Sequence, residues 1–501
     1  MMDAPLAADP FVSTLALIGA VILIAALLSG LIERSGVPQV GVLLALGAVL
    51  GPYGLKLIDP ELDSPVLRAV SMLSLTLVLF TDALSLDLRE IRRHIRLTLL
   101  VLGPGTVLSA VLVTLMAGWL LGLSWPAAAV LGAALASTDP VLLRGLLRRP
   151  DLPGTARLAL RLESGLNDIV LLPMVLIAMT FQGGLPHDKA VEWPRMAMDL
   201  FLLGPGAGVA AGLLGVATLD LVRRRIGVRR DYESLYSLGI AFTAFAAAEA
   251  VHSSGFLAAF AAGMTISVFD VELCDCFHEY GETTAEMTLL FTFVLLGSSL
   301  IWTGFAGAGW REALFAAAVV LVRPIVFLAS LRPTHLDRRS LLLISWFGPR
   351  GLSSLLLVLV TVFAGMPGSD RLFSLCSLVV LVSVVLHGGS VMFLPKPERG
   401  EPPAPTPPPP AALPEPAAAE PPEPAVRAEI PEIPEKVEIA DLLRLQAAAE
   451  PVVVLDVRTA RSLDTSGQIA PGTVRLDPER AVQEAKRLRL PKEAWLVAFC
   501  A

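Results

Sequence analysis

The chain has 501 residues, 54% of them apolar and only 17% charged, with a formal net charge of -7. A mean hydropathy of +0.68 excludes an ordinary soluble globular protein, in which roughly a quarter of residues are charged. The mild acidic balance gives no sign of a nucleic-acid partner. Four cysteines, Cys274, Cys276, Cys376 and Cys500, form no disulfide framework, and Cys274-Asp275-Cys276 lacks the second pair of ligands that a metal site needs.

Apolar runs recur along the chain to residue 394, each roughly 17–25 residues long, enough to cross a hydrocarbon core of ~30 Å. They give about thirteen candidate spans, near 13–32, 38–55, 66–84, 98–122, 125–146, 160–181, 198–222, 232–249, 253–269, 284–304, 312–331, 339–362 and 372–394. The first run has no basic segment before it and no evident cleavage site, so it is expected to be a retained span rather than a signal peptide.

Loop charge orients the spans. The third connection carries Arg89, Arg92, Arg93 and Arg96, the fifth Arg144, Arg148, Arg149 and Arg157. The seventh carries Arg223, Arg224, Arg225, Arg229 and Arg230, and the eleventh Arg332, Arg338 and Arg339. Basic residues mark cytoplasmic loops. The expected arrangement is a multi-pass cell-membrane protein, with the N-terminus outside and the C-terminal tail in the cytoplasm.

Ionisable residues inside spans are costly and point to function. Asp82 lies in the third span. In the fifth, Asp139 precedes Pro140, which removes a backbone donor and disfavours helix at the preceding residue. The spacing predicts a break near Ser137-Thr138-Asp139, tolerated in a membrane only beside a cavity or within protein. In the sixth span Glu163 and Asn167 share one helix face, and Ser164 and Asp168 the next, at i, i+4. Carboxylates, hydroxyls and freed carbonyls are hard oxygen ligands, which suit small cations.

The eleventh span holds Arg323 before Pro324. A buried arginine needs an acid, with Glu163 the first candidate and Asp82 or Glu249 the alternatives; otherwise Arg323 snorkels to an interface. In the twelfth, Phe347-Gly348-Pro349-Arg350-Gly351 predicts a second break with a buried cation. Interrupted spans in corresponding positions point to inverted repeats around a substrate site. The fold class expected is therefore an all-α polytopic membrane protein of about thirteen transmembrane helices. Spans one to six and eight to thirteen form two inverted six-helix repeats with broken crossing helices. The histidines, His94, His187, His252, His278, His335 and His387, fall mainly at span ends and loops, where solvated or interfacial positions are expected.

After residue 395 the composition changes. Residues 396–434 form a Pro/Ala/Glu-rich linker, including Pro407 to Pro410, expected to be extended with polyproline II character. Residues 435–501 read as a small α/β unit. Val452 to Leu455 and Ala494 to Phe499 are its candidate strands. Leu455-Asp456-Val457-Arg458, with a second strand leading to Cys500, resembles the first part of a rhodanese-like domain. That family binds the transferred sulfur in a loop opened by the cysteine, whereas this chain stops at Ala501, so no working sulfurtransferase is expected from this partial domain.

Residues 10–395 resemble the sodium/proton antiporters of the first monovalent cation:proton antiporter family, of the NhaP type. The resemblance rests on Ser137-Thr138-Asp139-Pro140, Glu163-Ser164-Gly165-Leu166-Asn167-Asp168, Ser254-Gly255-Phe256-Leu257-Ala258, Gly348-Pro349-Arg350-Gly351 and, more loosely, Phe80-Thr81-Asp82-Ala83-Leu84. It implies a dimerisation domain beside a six-helix core, and hence a homodimer. It implies that Asp139, Asp168 and Ser164, with the Thr138 carbonyl, ligate an alkali cation. Glu163 and Asn167 are implied as supporting residues. The Asn-Asp pair goes in that family with electroneutral one-for-one exchange.

The function expected is secondary-active exchange of Na+ for H+ by competition at Asp139 and Asp168, with Asp82, Arg323 and Arg350 in support, and no cofactor. K+ or Li+ is the alternative cargo. A passive channel with an acidic selectivity ring is the rival from another class. An enzyme is disfavoured, since no nucleophile–histidine pair and no metal motif appears.

Overall fold

The computed structural model describes residues 39–86, 88–147, 149, 151–182, 197–225, 230–269, 275–334, 336–392, 452–458, 473–476 and 495–499, with Gly19, Leu23, Ala485, Arg487 and Leu488. Most of the expected first span, the linker at 396–434, and Cys274 and Cys500 lie outside the described residues. The chain divides into two compact units, Met1–Pro405 and Thr406–Ala501.

The first unit is helical. Its helices are α1 (Gln39–Leu50), α2 (Pro65–Leu84), the short α3 (Leu88–Arg93), α4 (Ile95–Leu121), α5 (Trp125–Ala136), α6 (Pro140–Leu147) and α7 (Gly154–Gln182). There follow α8 (Gly204–Arg225), α9 (Arg230–Ala250), α10 (Gly255–Val268), α11 (Asp275–Ser298), α12 (Trp310–Ser330), α13 (Arg338–Trp346), α14 (Leu352–Phe363) and α15 (Ser369–Ser383). Among the described residues, 7 helices are long and apolar enough to cross a membrane, or 8 if one bent pair counts as a span. That pair is the end of α11 with Leu300–Ala306, bent by 56°. Four further apolar helices are shorter. The unwound segment Phe347 to Gly351 divides the twelfth apolar run into α13 and α14, each below spanning length.

Helix starts follow the few polar residues in this apolar background. Ser64 caps α2, its Oγ accepting the Leu67 N–H at 3.3 Å, with Pro65 at the first helical position. Ser254 caps α10, and Asp337 caps α13 by accepting the Ser340 N–H at 2.9 Å. Those hydrogen bonds hold the exposed Asp337 carboxyl below its usual range.

Two bundles result. In one, α1, α2 and α8 to α11 pack together; α8 and α10 approach so closely that a Cβ at Gly208 would overlap the backbone of Ala258. In the other, α4 to α7 pack with α12 to α15. The bundles meet where α2 packs on α7 and α14. At one end of this seam is a cavity of about 470 Å³, lined among others by Arg68, Leu176, Glu249, His252, Phe256 and Phe363. At the other end Arg144 on α6 forms an ion pair with Glu286 on α11.

In the second unit, β1 (Val452–Asp456), β2 (Val474–Arg475) and β3 (Trp495–Phe499) form a parallel sheet in the order β2-β1-β3. The register pairs Val452 with Trp495 and Leu455 with Val474. Both expected strands are present, and β2 is too short to leave a periodic signal. At the end of β1, Arg458 donates to both Asp456 oxygens, at 2.9 and 2.6 Å, and holds that carboxyl below its usual range.

Candidate functional site

Both predicted breaks are present. Between α5 and α6 the chain is unwound at Ser137 to Asp139, and between α13 and α14 at Phe347 to Gly351. The two segments touch, the Asp139 N–H donating to the Pro349 carbonyl at 2.9 Å. Four half-helix ends thus converge in the interior, each with unpaired backbone groups and a partial charge.

The side chains answer these ends one by one. The Asp139 carboxylate, 1% exposed, accepts the Val141 N–H at 2.8 Å and the Leu352 N–H at 2.6 Å. One anion serves the positive ends of both α6 and α14. At the negative end of α5, Arg350 donates to the carbonyls of Ala136 at 2.6 Å and Ser137 at 2.9 Å. At the negative end of α13, Arg323 donates to the carbonyls of Ile344 at 2.9 Å and Phe347 at 3.2 Å.

Of the three acids considered for Arg323, the structure pairs it with Glu163. One Arg323 nitrogen meets Glu163 Oε1 and the other meets Oε2 at 2.7 Å, a forked arrangement. Arg323 is 2% exposed and its guanidinium lies 4.1 Å from the Phe327 ring centroid. Snorkelling to an interface is thereby overturned. Glu249 instead accepts the Gly255 N–H at 3.1 Å and lines the inter-bundle cavity. Asp82 sits half-buried in the last turn of α2, in the bundle that does not contain the crossing.

Helix α7 carries Glu163, Ser164, Asn167 and Asp168 on the faces that their spacing predicts, all buried. Thr138 Oγ1 donates to Glu163 at 2.8 Å, and Ser137 Oγ donates to Asp168 Oδ1 at 2.8 Å. The Asn167 amide nitrogen donates to the Thr138 carbonyl at 3.2 Å, while its oxygen has no hydrogen-bond partner among the described residues. Ser164 Oγ donates to the Arg161 carbonyl at 3.3 Å. The structure therefore brings Thr138, Asp139, Glu163, Asn167, Asp168, Arg323 and Arg350 into one network. Ser164 is beside them on α7, and Asp82 is on α2.

Glycine in the second break has a steric reason. A Cβ on Gly351 would overlap the Asp139 carboxylate, and one on Gly348 would overlap the Arg323 guanidinium. The Gly-Pro-Arg-Gly segment thus provides a cation of its own and room for two charged neighbours.

One expectation is corrected. His387 is neither solvated nor interfacial: it is 4% exposed, within a π-turn (Val384–Gly388) that continues α15. Its Nδ1 lies 3.0 Å from Ser383 Oγ, which accepts the Arg350 backbone N–H at 2.7 Å. A serine and a histidine at i, i+4 in an apolar span carry a helix-face signal, the same spacing that marks Glu163 with Asn167. Arg144 and Glu286, far apart in sequence, leave no such signal.

Comparison with known proteins agrees with this architecture. The family described as sodium/hydrogen exchanger, transmembrane, matches residues 20–396. The K(+)/H(+) antiporter NhaP of Alkalimonas amylolytica is 26% identical over 384 residues, covering 75% of this chain and 65% of that protein. The K(+)/H(+) antiporter NhaP2 of Shewanella sp. (strain MR-4) is 26% identical over 402 residues, covering 78% of this chain and 68% of its own length. This chain thus spans about two thirds of the length of these curated relatives. The sodium proton antiporter MjNhaP1 from Methanocaldococcus jannaschii shares the fold, with a TM-score of 0.62 at 18% identity over 76% of this chain and 100% of that one. Crossed broken helices, the buried acids and a family match over most of the chain converge: the protein belongs to the transmembrane sodium/hydrogen exchangers.

Proposed function

We propose that the protein is a secondary-active antiporter that exchanges one alkali cation for one proton across the cell membrane. The observation that carries this reading is the charge balance of the crossing. Among the described residues of the helical unit, the buried acids and arginines are Asp139, Glu163, Asp168, Arg323 and Arg350. Glu163 is paired with Arg323, whereas Arg350 serves the carbonyls of Ala136 and Ser137 and Asp139 serves the amides of Val141 and Leu352. Three buried carboxylates against two guanidiniums leave one negative charge for Asp139 and Asp168, of which Asp168 is the less satisfied, accepting one hydroxyl where Asp139 accepts two amides. A buried uncompensated charge is costly, so the two acids together hold either a proton or a monovalent cation, centred on Asp168. Competition for that place, with no empty crossing, gives electroneutral one-for-one exchange.

Asp168, Ser164, Asp139 and the Thr138 carbonyl are the proposed oxygen ligands. Each Asp139 oxygen already accepts one amide, which leaves it further lone pairs but makes Asp168 the freer ligand. Glu163 and Asn167 hold the unwound turn through Thr138. Na+ is the first reading for the cargo. K+ is the second, favoured by the K(+)/H(+) names of the curated relatives.

Access alternates by movement of one bundle against the other. The cavity at one end of the seam reaches Leu176 on α7, about two turns from Asp168. The Arg144–Glu286 pair closes the end nearer the start of α7. With the arginine-rich loops in the cytoplasm, the cavity faces outward and the tail lies inside. We further propose a homodimer, and a rhodanese-like tail fragment supported by the parallel order of β1 to β3. Exchange in proteoliposomes tests the main reading: an imposed pH gradient drives uphill uptake of Na+ or K+, whereas a passive channel only dissipates gradients.

A further inference from the structure

We infer that His387 is a positioning residue for the crossing, acting through Ser383 on the backbone of Arg350; the inference rests on the exchange reading above. π-turns within helices recur at functional sites, where the extra residue re-aims side chains. Here the π-turn Val384–Gly388 interrupts the last span and carries His387 inward, 4% exposed. The imidazole does not reach the acids. Its contacts lead to the second break instead.

Both ends of that break are tied to the π-turn. At one end, Ser383 Oγ accepts the Arg350 N–H at 2.7 Å and lies 3.0 Å from His387 Nδ1. At the other, Trp346, the last residue of α13, flanks the imidazole with ring centroids 5.5 Å apart. Its indole N–H donates to Ser390 Oγ at 3.0 Å, and Ser390 Oγ donates to the His387 carbonyl at 2.8 Å.

A hydroxyl has one proton to give and two lone pairs to receive. His387 Nδ1 also lies 3.2 Å from the Ser383 carbonyl; whether Nδ1 accepts the Ser383 proton or donates to the serine, Ser383 Oγ keeps a lone pair for Arg350. Without the imidazole, nothing holds the Ser383 side chain in this rotamer, and when Oγ swings toward a carbonyl of its own helix the buried Arg350 N–H loses its acceptor. That amide sets two things at once. Its own guanidinium reaches Ala136 and Ser137, and two residues on the Leu352 N–H reaches Asp139. His387 therefore fixes the orientation of Asp139 without touching cation or proton.

The test uses the full-length protein in proteoliposomes, with the alkali cation that the wild type transports. His387→Ala is expected to raise the apparent KM about 3–10-fold, with the maximal rate within about twofold. His387→Asn, whose side-chain oxygen stands near the place of Nδ1, restores most of the affinity. Ser383→Ala matches His387→Ala, and the double variant is no worse than either, because the two act through one bond. Hydrogen exchange gives a readout independent of transport. The amides of Gly348 to Leu352 exchange about tenfold faster in His387→Ala and near the wild-type rate in His387→Asn. Additive effects of the two single variants, or wild-type KM and protection in His387→Ala, would overturn the inference. If the wild type itself shows no coupled exchange, the antiport reading fails, and hydrogen exchange alone decides the role of His387.

Discussion

Leu352 donates its backbone N–H to the carboxylate of Asp139 at 2.6 Å, across 213 residues of sequence. The other Asp139 oxygen takes the Val141 N–H at 2.8 Å. One side chain thus supplies the N-terminal cap of two half-helices from distant parts of the chain. This is a heavier structural role than that of a cation ligand alone. Asp139→Asn retains one acceptor but turns an amide donor toward a backbone donor. Loss of exchange and a stability loss of about 1–3 kcal/mol are expected. Thermal unfolding in detergent, beside a transport assay, measures both; wild-type stability in this variant would contradict the shared cap.

Gly351→Ala tests the same contact from the other side. The added Cβ would overlap the Asp139 carboxylate, so the acid must leave its place between the two amides. Exchange is expected to fall at least about tenfold, as when catalytic groups are displaced by ~1 Å. Alanine at Gly145, where nothing lies within 4 Å of a built Cβ, is the control and should transport normally.

Glu163 and Arg323 form a fully buried pair, so removing one partner strands the other. Glu163→Gln is expected to destabilise the protein by about 3–5 kcal/mol. Replacing both, as Glu163→Leu with Arg323→Met, should recover much of that loss. It should not recover full exchange, because Thr138 and the carbonyls of Ile344 and Phe347 would lose their partners. Additive losses, with the double variant destabilised by as much as the two single replacements together, would show that the pair is not coupled.

The sequence made the crossing legible because its cost is local. Asp139-Pro140 and Gly348-Pro349-Arg350-Gly351 break helices through backbone chemistry, and a charge in an apolar run stands out. The Glu163–Arg323 pairing was readable as one of three choices, since a buried arginine needs an acid. Other features depend on tertiary contact. No local property of Asp139 says that it caps α14, and none says that Arg350 serves α5 rather than its own helix ends. The bend after α11 lacks a proline. His387 reads as a span-end residue until the π-turn places it inside. In the tail, β2 consists of Val474 and Arg475 and becomes a strand only by pairing with β1.

Arg144 and Glu286 join the two bundles at the end of the seam opposite the cavity. Both side chains are partly exposed, 25% and 29%, so the pair contributes only about 0–1 kcal/mol to stability. In the proposed alternating-access scheme its effect is expected on the balance between inward and outward states. Arg144→Glu should leave folding intact, increase labelling of a cysteine placed near Glu286 from the cytoplasmic side, and change transport rate. Arg144→Glu with Glu286→Arg should restore both. Unchanged accessibility in the single variant would remove the pair from the gating scheme.

Asp168 accepts a single hydroxyl, from Ser137, and has no guanidinium contact among the described residues, so the proposed exchange is expected to depend on it. Purified wild type and Asp168→Asn, reconstituted in vesicles with an imposed pH gradient, should be compared for uphill uptake of Na+ and of K+. The wild type should accumulate one of them, with an apparent KM that rises with proton concentration while the maximal rate holds. The variant should be folded and inactive. Coupled uptake that persists in Asp168→Asn, or a KM indifferent to pH, would contradict competition at this carboxylate.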